Sequence, residues 1–228
     1  RNPAAPMPHW KQDVAVEGPA AKIFRVSPPE PWRVLRTRWR VGGAISGPVE
    51  GGGTAFGYFT SATGITVYRG DAYPESFVGN AFIGAPANNL IHRKTLTYQG
   101  AEPVARRADP DRKREFIAST DNWFRPVQFA NGPDGCLYVA DMYRETIEVA
   151  HAIPDSIKAR LDIYSGTDRG RIYRFVPDGF EQRQTPDFGA KTLPLLVADL
   201  ASPNGWHRDT AARLLFERQS TKMSGALR

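Results

Sequence analysis

Two short groups of polar and aromatic residues flank one predicted β-hairpin, and their types could do chemistry. The first group precedes the first strand and the second follows the second strand: Asp121, Trp123 and Arg125, then Asp141, Tyr143 and Arg144. A guanidinium beside carboxylates and aromatic rings can hold an anion or another polar ligand, and carboxylates can hold a metal. Each group also has a structural interpretation. Arg125 can form an ion pair with Asp121, and the second group can cap the segment that follows it.

Other reactive residue types show less suggestive patterns. The histidines are dispersed and have no spacing typical of a metal site: His9, His92, His151 and His207. The single Cys136 lies in an apolar strand, which excludes an internal disulfide framework and a cysteine-rich metal site. The sequence contains no G-x-S-x-G motif, so nothing in it indicates a serine hydrolase.

The hairpin that these groups flank is the clearest predicted element. In "FRPVQFANGPDGCLYVADMYR", Val127 and Phe129 alternate with polar residues, Pro133 to Gly135 supply the turn, and residues 136–140 are almost continuously apolar. Residues 1–57 are predicted to be irregular and Gly-rich, apart from the strand at 22–26. The other predicted strands are 22–26, 65–68, 81–84, 90–96 and 116–118.

An internal repeat predicts how the strands are organised. "GNAFIGAP…NNLIHR" at 79–93 parallels "DGCLYVAD…RGRIYR" at 134–174, and the second copy carries an insertion with helical content at about 145–163. Frequent Gly and Pro between short apolar runs favour a mainly β protein. The repeat favours the antiparallel blades of a β-propeller over a β-sandwich with two similar hairpins.

The composition changes after Pro177. Residues 179–189 are predicted to be a polar linker, and residues 190–228 the first helical hairpin of a HEAT-like α-solenoid, with Leu193, Leu196, Val197 and Leu200 on one helix face. Residues 1–178 would then be the C-terminal part of the propeller. A closed propeller needs at least about four blades and a solenoid about three units. We therefore expect the chain to be a fragment that self-associates when it is expressed alone.

Charge and hydropathy exclude some partners. The net charge is +6, but the basic residues are scattered among acids and no nucleic-acid-reading motif is present, so no nucleic-acid partner is predicted. No apolar stretch approaches the ~20 residues that a membrane span needs. The chain also carries no recognisable signal peptide.

Long motifs resemble a known family. "ATGITVYRGDAYPESFVGNAFIGAPANNLIHR" and "FIASTDNWFRPVQFANGPDGCLYVADMYRETIE…DRGRIYRF" resemble the propeller of the membrane-bound dehydrogenase-like proteins of planctomycetes and verrucomicrobia. That propeller is similar to the pyrroloquinoline quinone (PQQ)-dependent glucose/sorbosone dehydrogenases. The family continues with HEAT repeats and a cytochrome c module, and "LASPNGWHRDTAARLLFERQ" is similar to its first HEAT unit.

The resemblance implies site residues and cofactors. Arg125 matches the arginine that holds the anionic quinone in those enzymes, and Asp121 and Trp123 lie beside it in the sequence. Asp141, Tyr143 and Arg144 are candidate ligand-binding residues because of their position after the second strand, and not because of the resemblance. The family's turn lysine has no counterpart, because the turn "APANN" carries no cation, and this difference argues against quinone binding. The resemblance also implies Ca²⁺ as a cofactor. A haem c would belong to a domain outside this chain, which has no CxxCH motif.

Two functions follow from the resemblance. One is a sugar or alcohol dehydrogenase-like oxidoreductase that passes electrons to a cytochrome c module. The other is a non-catalytic propeller and HEAT scaffold that binds carbohydrate or protein. Both imply a periplasmic or cell-envelope location, and both imply the downstream HEAT and cytochrome c modules as partners.

Overall fold

The computed structural model describes residues 22–219, which are mostly β with a few helices. Its strands are β1 Thr63–Val67, β2 Ala81–Ala85, β3 Leu90–Gln99, β4 Glu102–Arg107, β5 Ile117–Ala118, β6 Pro126–Asn131, β7 Leu137–Asp141 and β8 Arg171–Phe175. Its α-helices are α1 Pro31–Val41, α2 Asp155–Lys158, α3 Leu193–Asp199 and α4 Gly205–Arg218. The mainly β, antiparallel prediction is therefore confirmed.

The strands form two antiparallel sheets. The first has the order β1-β2-β3-β4, with β5 also paired to β3, and the second has the order β6-β7-β8. The register places Phe82 opposite Arg93 in the first sheet and Phe129 opposite Val139 in the second. Because the side chains alternate between faces, this register sends the apolar residues of both sheets into one shared core. The buried members of that core are Tyr68, Tyr73, Phe82, Ile91, Phe124, Phe129, Leu137 and Val139.

The backbones of β1 and β2 lie close to the backbone of β6, which belongs to the other sheet. Thr63 Oγ1 donates to the Val127 carbonyl at 3.1 Å. A Cβ on Gly84 would lie 2.5 Å from the Pro126 carbonyl oxygen, and one on Gly64 would lie 2.8 Å from the backbone of Val127. The backbones of the two sheets can approach this closely only because these positions carry no side chain.

The helical pair α3 and α4 lies where the sequence predicts two helices, and it packs against the sheets. Its core contains Phe188, Leu196 and Ala211. The Gly205 amide donates to the Arg69 carbonyl at 2.6 Å, and the Asn204 side chain donates to the Pro133 carbonyl at 3.1 Å. Asn204 also caps α4 by accepting from the amide two residues later.

Several element predictions need correction. The strand predicted at 22–26 is only an isolated bridge between Lys22 and Tyr58. Helix α1 lies inside the segment predicted to be irregular. Strand β4 has no predicted counterpart because its sequence, EPVARR, holds three charged residues and a proline. The insertion, which is predicted to have helical content and needs no correction, holds one 3₁₀ turn, Ala150–Ala152, and the single turn of α2. The outer limits of the predicted domains, at 1 and 228, lie outside the described residues.

The close approach of the sheets gives a first prediction. Gly84→Ala places a methyl group against the backbone of β6, so we expect a loss of about 1–3 kcal/mol in the free energy of unfolding. Gly170→Ala is the control, because its nearest atom, the Asp141 carbonyl oxygen, lies at 3.7 Å. Urea denaturation measures both variants. Equal stabilities would show that the sheets do not depend on this contact.

Candidate functional site

A groove lined by three tryptophans lies between α1, α2 and the loop that leads into β6. Its volume is about 660 Å³. The residues of its wall are Glu30, Pro31, Trp32, Leu35, Trp39, Asn122, Trp123, Glu145, Ser156, Ile157, Arg160 and Leu161. An apolar cleft of this size with a few polar groups is the ordinary form of a small-molecule site.

Arginines on one face of α1 hold the helix in place. Pro31 begins the helix with its fixed φ angle. Arg33 Nη1 donates to the Ala87 carbonyl at 2.9 Å, and Arg36 Nη2 pairs with Glu148 at 3.1 Å. The guanidinium of Arg36 also lies over the ring of Trp32, 5.1 Å from its centroid. The buried face of α1 is thus largely cationic, and it anchors the helix that carries Trp32 and Trp39.

The Glu30 carboxylate, immediately before α1, neutralises a buried cationic cluster. Its Oε2 pairs with Arg25 at 3.0 Å and its Oε1 with Arg125 at 3.2 Å, while only 5% of the residue is exposed. Burial alone would raise the pKa of Glu30, but Arg33, Arg25 and Arg125 together outweigh burial and lower it. Glu30 therefore stays ionised and joins the chain before α1 to the start of β6.

The guanidinium of Arg125 donates all of its hydrogen bonds to other groups of the protein. Its Nε donates to the Arg144 carbonyl at 2.8 Å, and Nη1 donates to Glu30 and to the Pro86 carbonyl at 2.8 Å. Nη2 donates to Glu30 and to the Glu145 carbonyl at 2.5 Å. These contacts use all five N–H groups of a guanidinium whose residue is 1% exposed. This arrangement does not fit an anionic quinone at Arg125, and quinone binding elsewhere stays a prediction.

Asp121 positions Trp123 in the wall of the groove. Its Oδ1 accepts from the Trp123 amide at 2.8 Å, and its carbonyl accepts from the Phe124 amide at 3.2 Å. This tight turn precedes β6. Trp123 also packs against the Tyr143 ring at 5.5 Å between centroids. The first predicted group is therefore split: Trp123 faces the groove, Asp121 orients it, and Arg125 is buried beneath it.

The second predicted group closes the loop that follows β7. Asp141 Oδ1 accepts from the amides of Arg125 at 2.7 Å and Tyr143 at 2.9 Å, whereas its buried Oδ2 has no partner within residues 22–219. Burial raises the pKa of Asp141, and those two hydrogen bonds offset part of the rise. The Arg144 amide donates to the Trp123 carbonyl at 3.1 Å.

Tyr143 occupies the strained position of that loop. It has a left-handed φ of 48°, and the Arg171 guanidinium lies 3.6 Å from its ring centroid. A hydrogen bond with Asp121 raises the pKa of the Tyr143 hydroxyl. The structure thus brings Asp121, Trp123 and Tyr143 together, and it gives Asp141 and Arg144 contacts that hold two loops side by side. No sequence pattern indicates that Glu30, Trp32 and Trp39 complete the site.

Two other reactive groups are enclosed in the fold. His92 Nδ1 contacts Glu115 Oε2 at 2.6 Å, and burial lowers the pKa of His92 although Glu115 opposes that effect. His92 is 2% exposed, so it packs inside the fold. Burial raises the pKa of the Cys136 thiol to about 11, so the thiol stays protonated at neutral pH.

Within residues 22–219, no group of three or more His, Cys, Asp or Glu side chains is placed to hold a metal ion. Across the same residues, no helix is both long and apolar enough to cross a membrane.

The comparison with protein families gives one result. The chain matches the family described as "Domain of unknown function (DUF7133)" over residues 1–179. That match covers most of the 228 residues, so the chain belongs to this family. No curated protein and no solved structure matches the chain.

The Glu30 cluster gives a prediction about stability. Glu30→Gln leaves Arg25 and Arg125 buried without their counter-charge, so we expect the free energy of unfolding to fall by about 3–5 kcal/mol. The same substitution at the exposed Arg213–Glu217 pair is the matched control and should cost about 0.3–0.5 kcal/mol. Urea denaturation compares the two. Similar losses at both positions would mean that the cluster does not anchor α1.

The Glu30 cluster also gives a prediction about the pH dependence of stability. The pKa of Glu30 is lower in the folded chain than its ordinary value, so its contribution to stability is present above that ordinary value and is lost as the pH falls through the folded pKa. We therefore expect the stability difference between the native chain and Glu30→Gln to shrink as the pH falls below about 4.5. Glu115, whose pKa is also lowered, is present in both chains and cancels. A difference that is constant down to the acid transition would contradict the assignment.

Proposed function

We propose that this chain is a carbohydrate-binding module and that the tryptophan groove is its binding site. The observation that carries the proposal is the combination of three indole rings with polar side chains that have no partner among residues 22–219, in one cleft of about 660 Å³. An indole offers a wide, rigid apolar face. The C–H faces of a pyranose ring are also apolar, while its rim carries hydroxyl groups, so a sugar matches a wall of this kind.

The polar groups of the groove suit hydroxyl groups better than a charged ligand. The Glu145 carboxylate and the Arg160 guanidinium have no hydrogen-bond partner among residues 22–219, and they supply free acceptors and free donors. Asn122 Oδ1 is used by Arg25 at 3.1 Å, which leaves the Asn122 amide nitrogen as a further donor. Because hydroxyl groups donate and accept alike, they can use all three. The charges of Glu145 and Arg160 cancel, and Glu30 is already neutralised.

The fold supports a place for this module in a larger architecture. We propose that the two sheets are neighbouring blades of a β-propeller, with β1 and β6 as their inner strands, because these strands pack directly against one another. We also propose that α3 and α4 are a HEAT-like unit. The resemblance of the sequence favours both proposals and a periplasmic or cell-envelope location.

The dehydrogenase-like activity stays a prediction that rests on the resemblance alone. It would share the sugar ligand, but Arg125 is not available to a quinone, so no redox step is assigned to the residues of this site. Electron transfer to a cytochrome c module, a Ca²⁺ requirement and the downstream partners also stay predictions. Dye reduction by the purified chain with an aldose, PQQ and Ca²⁺ would reveal the activity.

The sugar-binding proposal predicts the effect of two substitutions. Trp123→Ala removes an apolar wall of the groove, and we expect it to weaken the binding of maltotriose or cellotriose at least about tenfold, or ~1.4 kcal/mol. Glu145→Gln changes a side chain without a partner in the described part of the chain, so we expect weaker binding at unchanged stability. Isothermal titration calorimetry and tryptophan fluorescence measure the affinities.

The control for these variants is Tyr98→Ala, an aromatic residue that is 69% exposed on β3 and lies outside the groove. It should leave the affinity unchanged. The proposal fails if neither trisaccharide binds the native chain saturably, or if Trp123→Ala and Glu145→Gln bind them as the native chain does.

A further inference from the structure

A second cleft of about 660 Å³ lies on the first sheet, and none of its residues belongs to the tryptophan groove. It is formed by the turn before β2, by β3 and by the loop between β4 and β5. Its wall consists of Ser76, Phe77, Asn80, Arg93, Thr95, Ala108, Asp109, Pro110, Asp111, Arg114, Glu115 and Phe116.

Arg93 is the main polar group of this cleft. The residue is 5% exposed, its Nε donates to Asp111 Oδ2 at 2.8 Å, and its guanidinium lies 4.2 Å from the ring centroid of Phe77. Its two terminal nitrogens have no hydrogen-bond partner within residues 22–219, and they are not among the fully buried unpaired atoms. A guanidinium held on two sides, with a free fork, is preorganised for a planar bidentate anion.

Asn80 supplies a second unsatisfied group in the same wall. Its Nδ2 donates to the Ser76 carbonyl at 2.9 Å, whereas its buried Oδ1 has no partner among the residues described. A buried acceptor without a donor is costly, so a ligand N–H or O–H that reaches it is favoured. The hydrogen bond of Nδ2 fixes the orientation of the amide and leaves the oxygen as the free atom.

The surrounding charges limit the anion that can bind. Asp111 already pairs with Arg93, and Arg114 Nε lies 3.8 Å from Asp111. The exposed Asp109 pairs with Arg112. The buried Glu115 of the wall pairs with Arg107 at 3.2 Å. Each acid of the wall thus has an arginine of its own, so the cleft accepts one negative charge beside Asp111 more readily than the two charges of phosphate at neutral pH.

We propose that this cleft binds a small monocarboxylate that carries hydroxyl groups. The carboxylate takes the free fork of Arg93, and one hydroxyl donates to Asn80 Oδ1. The ligand class is that of sugar acids and other hydroxy acids. The site is independent of the tryptophan groove, so it stands or falls separately from carbohydrate binding there.

Isothermal titration calorimetry with D-gluconate tests the proposal on the native chain. D-glucose lacks the carboxylate, hexanoate lacks the hydroxyl groups, and inorganic phosphate carries the higher charge. We expect D-gluconate to bind at least tenfold more tightly than each of the three. Phosphate binding as tight as that of D-gluconate would overturn the proposal, and so would equally tight D-glucose binding that Arg93→Lys weakens, since that binding would lie in this cleft. The absence of D-gluconate binding would overturn it as well.

Arg93→Lys tests the fork directly, since it keeps the charge and removes the bidentate geometry. We expect it to weaken D-gluconate binding at least tenfold while maltotriose binding in the tryptophan groove is unchanged. Arg213→Lys is the matched control, because Arg213 is exposed and does not line the cleft, and it should bind D-gluconate as the native chain does. Unchanged D-gluconate affinity in a folded Arg93→Lys variant would refute the assignment.

Discussion

The structure depends on one buried carboxylate. Glu30 lies between Arg25, its close neighbour in sequence, and Arg125, which reaches it from a segment 95 residues further along the chain. Removing charges from water is expensive, and only close pairing with further hydrogen bonds makes such a cluster tolerable. Arg125 meets this requirement with three backbone carbonyls in addition to Glu30. The cluster thereby fixes the start of α1 relative to β6, and the tryptophan groove is the space that this arrangement leaves open.

The groove combines rigid and free groups. Its aromatic walls are held by contacts that do not involve a ligand: Arg36 lies over Trp32, and the Asp121 turn and Tyr143 hold Trp123. The side chains of Glu145 and Arg160, in contrast, have no hydrogen-bond partner in the described part of the chain. Preorganised walls reduce the entropy that binding costs, and free polar groups supply orientation. This division of roles is the physical basis for proposing a carbohydrate ligand.

Sequence patterns predicted the parts of the fold that follow simple periodicity. Alternation and turn residues predicted β2, β3, β6 and β7, and helical spacing predicted α3 and α4. Periodicity does not predict helix α1, because arginines as well as apolar residues occupy its buried face. The burial of Arg33 and Arg36 depends on partners far along the chain, which the local sequence does not show. For the same reason the sequence suggested that Arg125 faces a ligand. A sequence reveals a cation, but only the fold reveals that the cation's donors are already used.

The most direct test of the carbohydrate-binding account is a crystal structure of the chain in complex with maltotriose. The account predicts electron density for a pyranose ring packed against Trp123 or Trp39, with hydroxyl groups within hydrogen-bond distance of Glu145 and Asn122. The Glu30–Arg125 contact should be unchanged beneath it. Density for the sugar at another surface, with the tryptophan groove empty, would contradict the account.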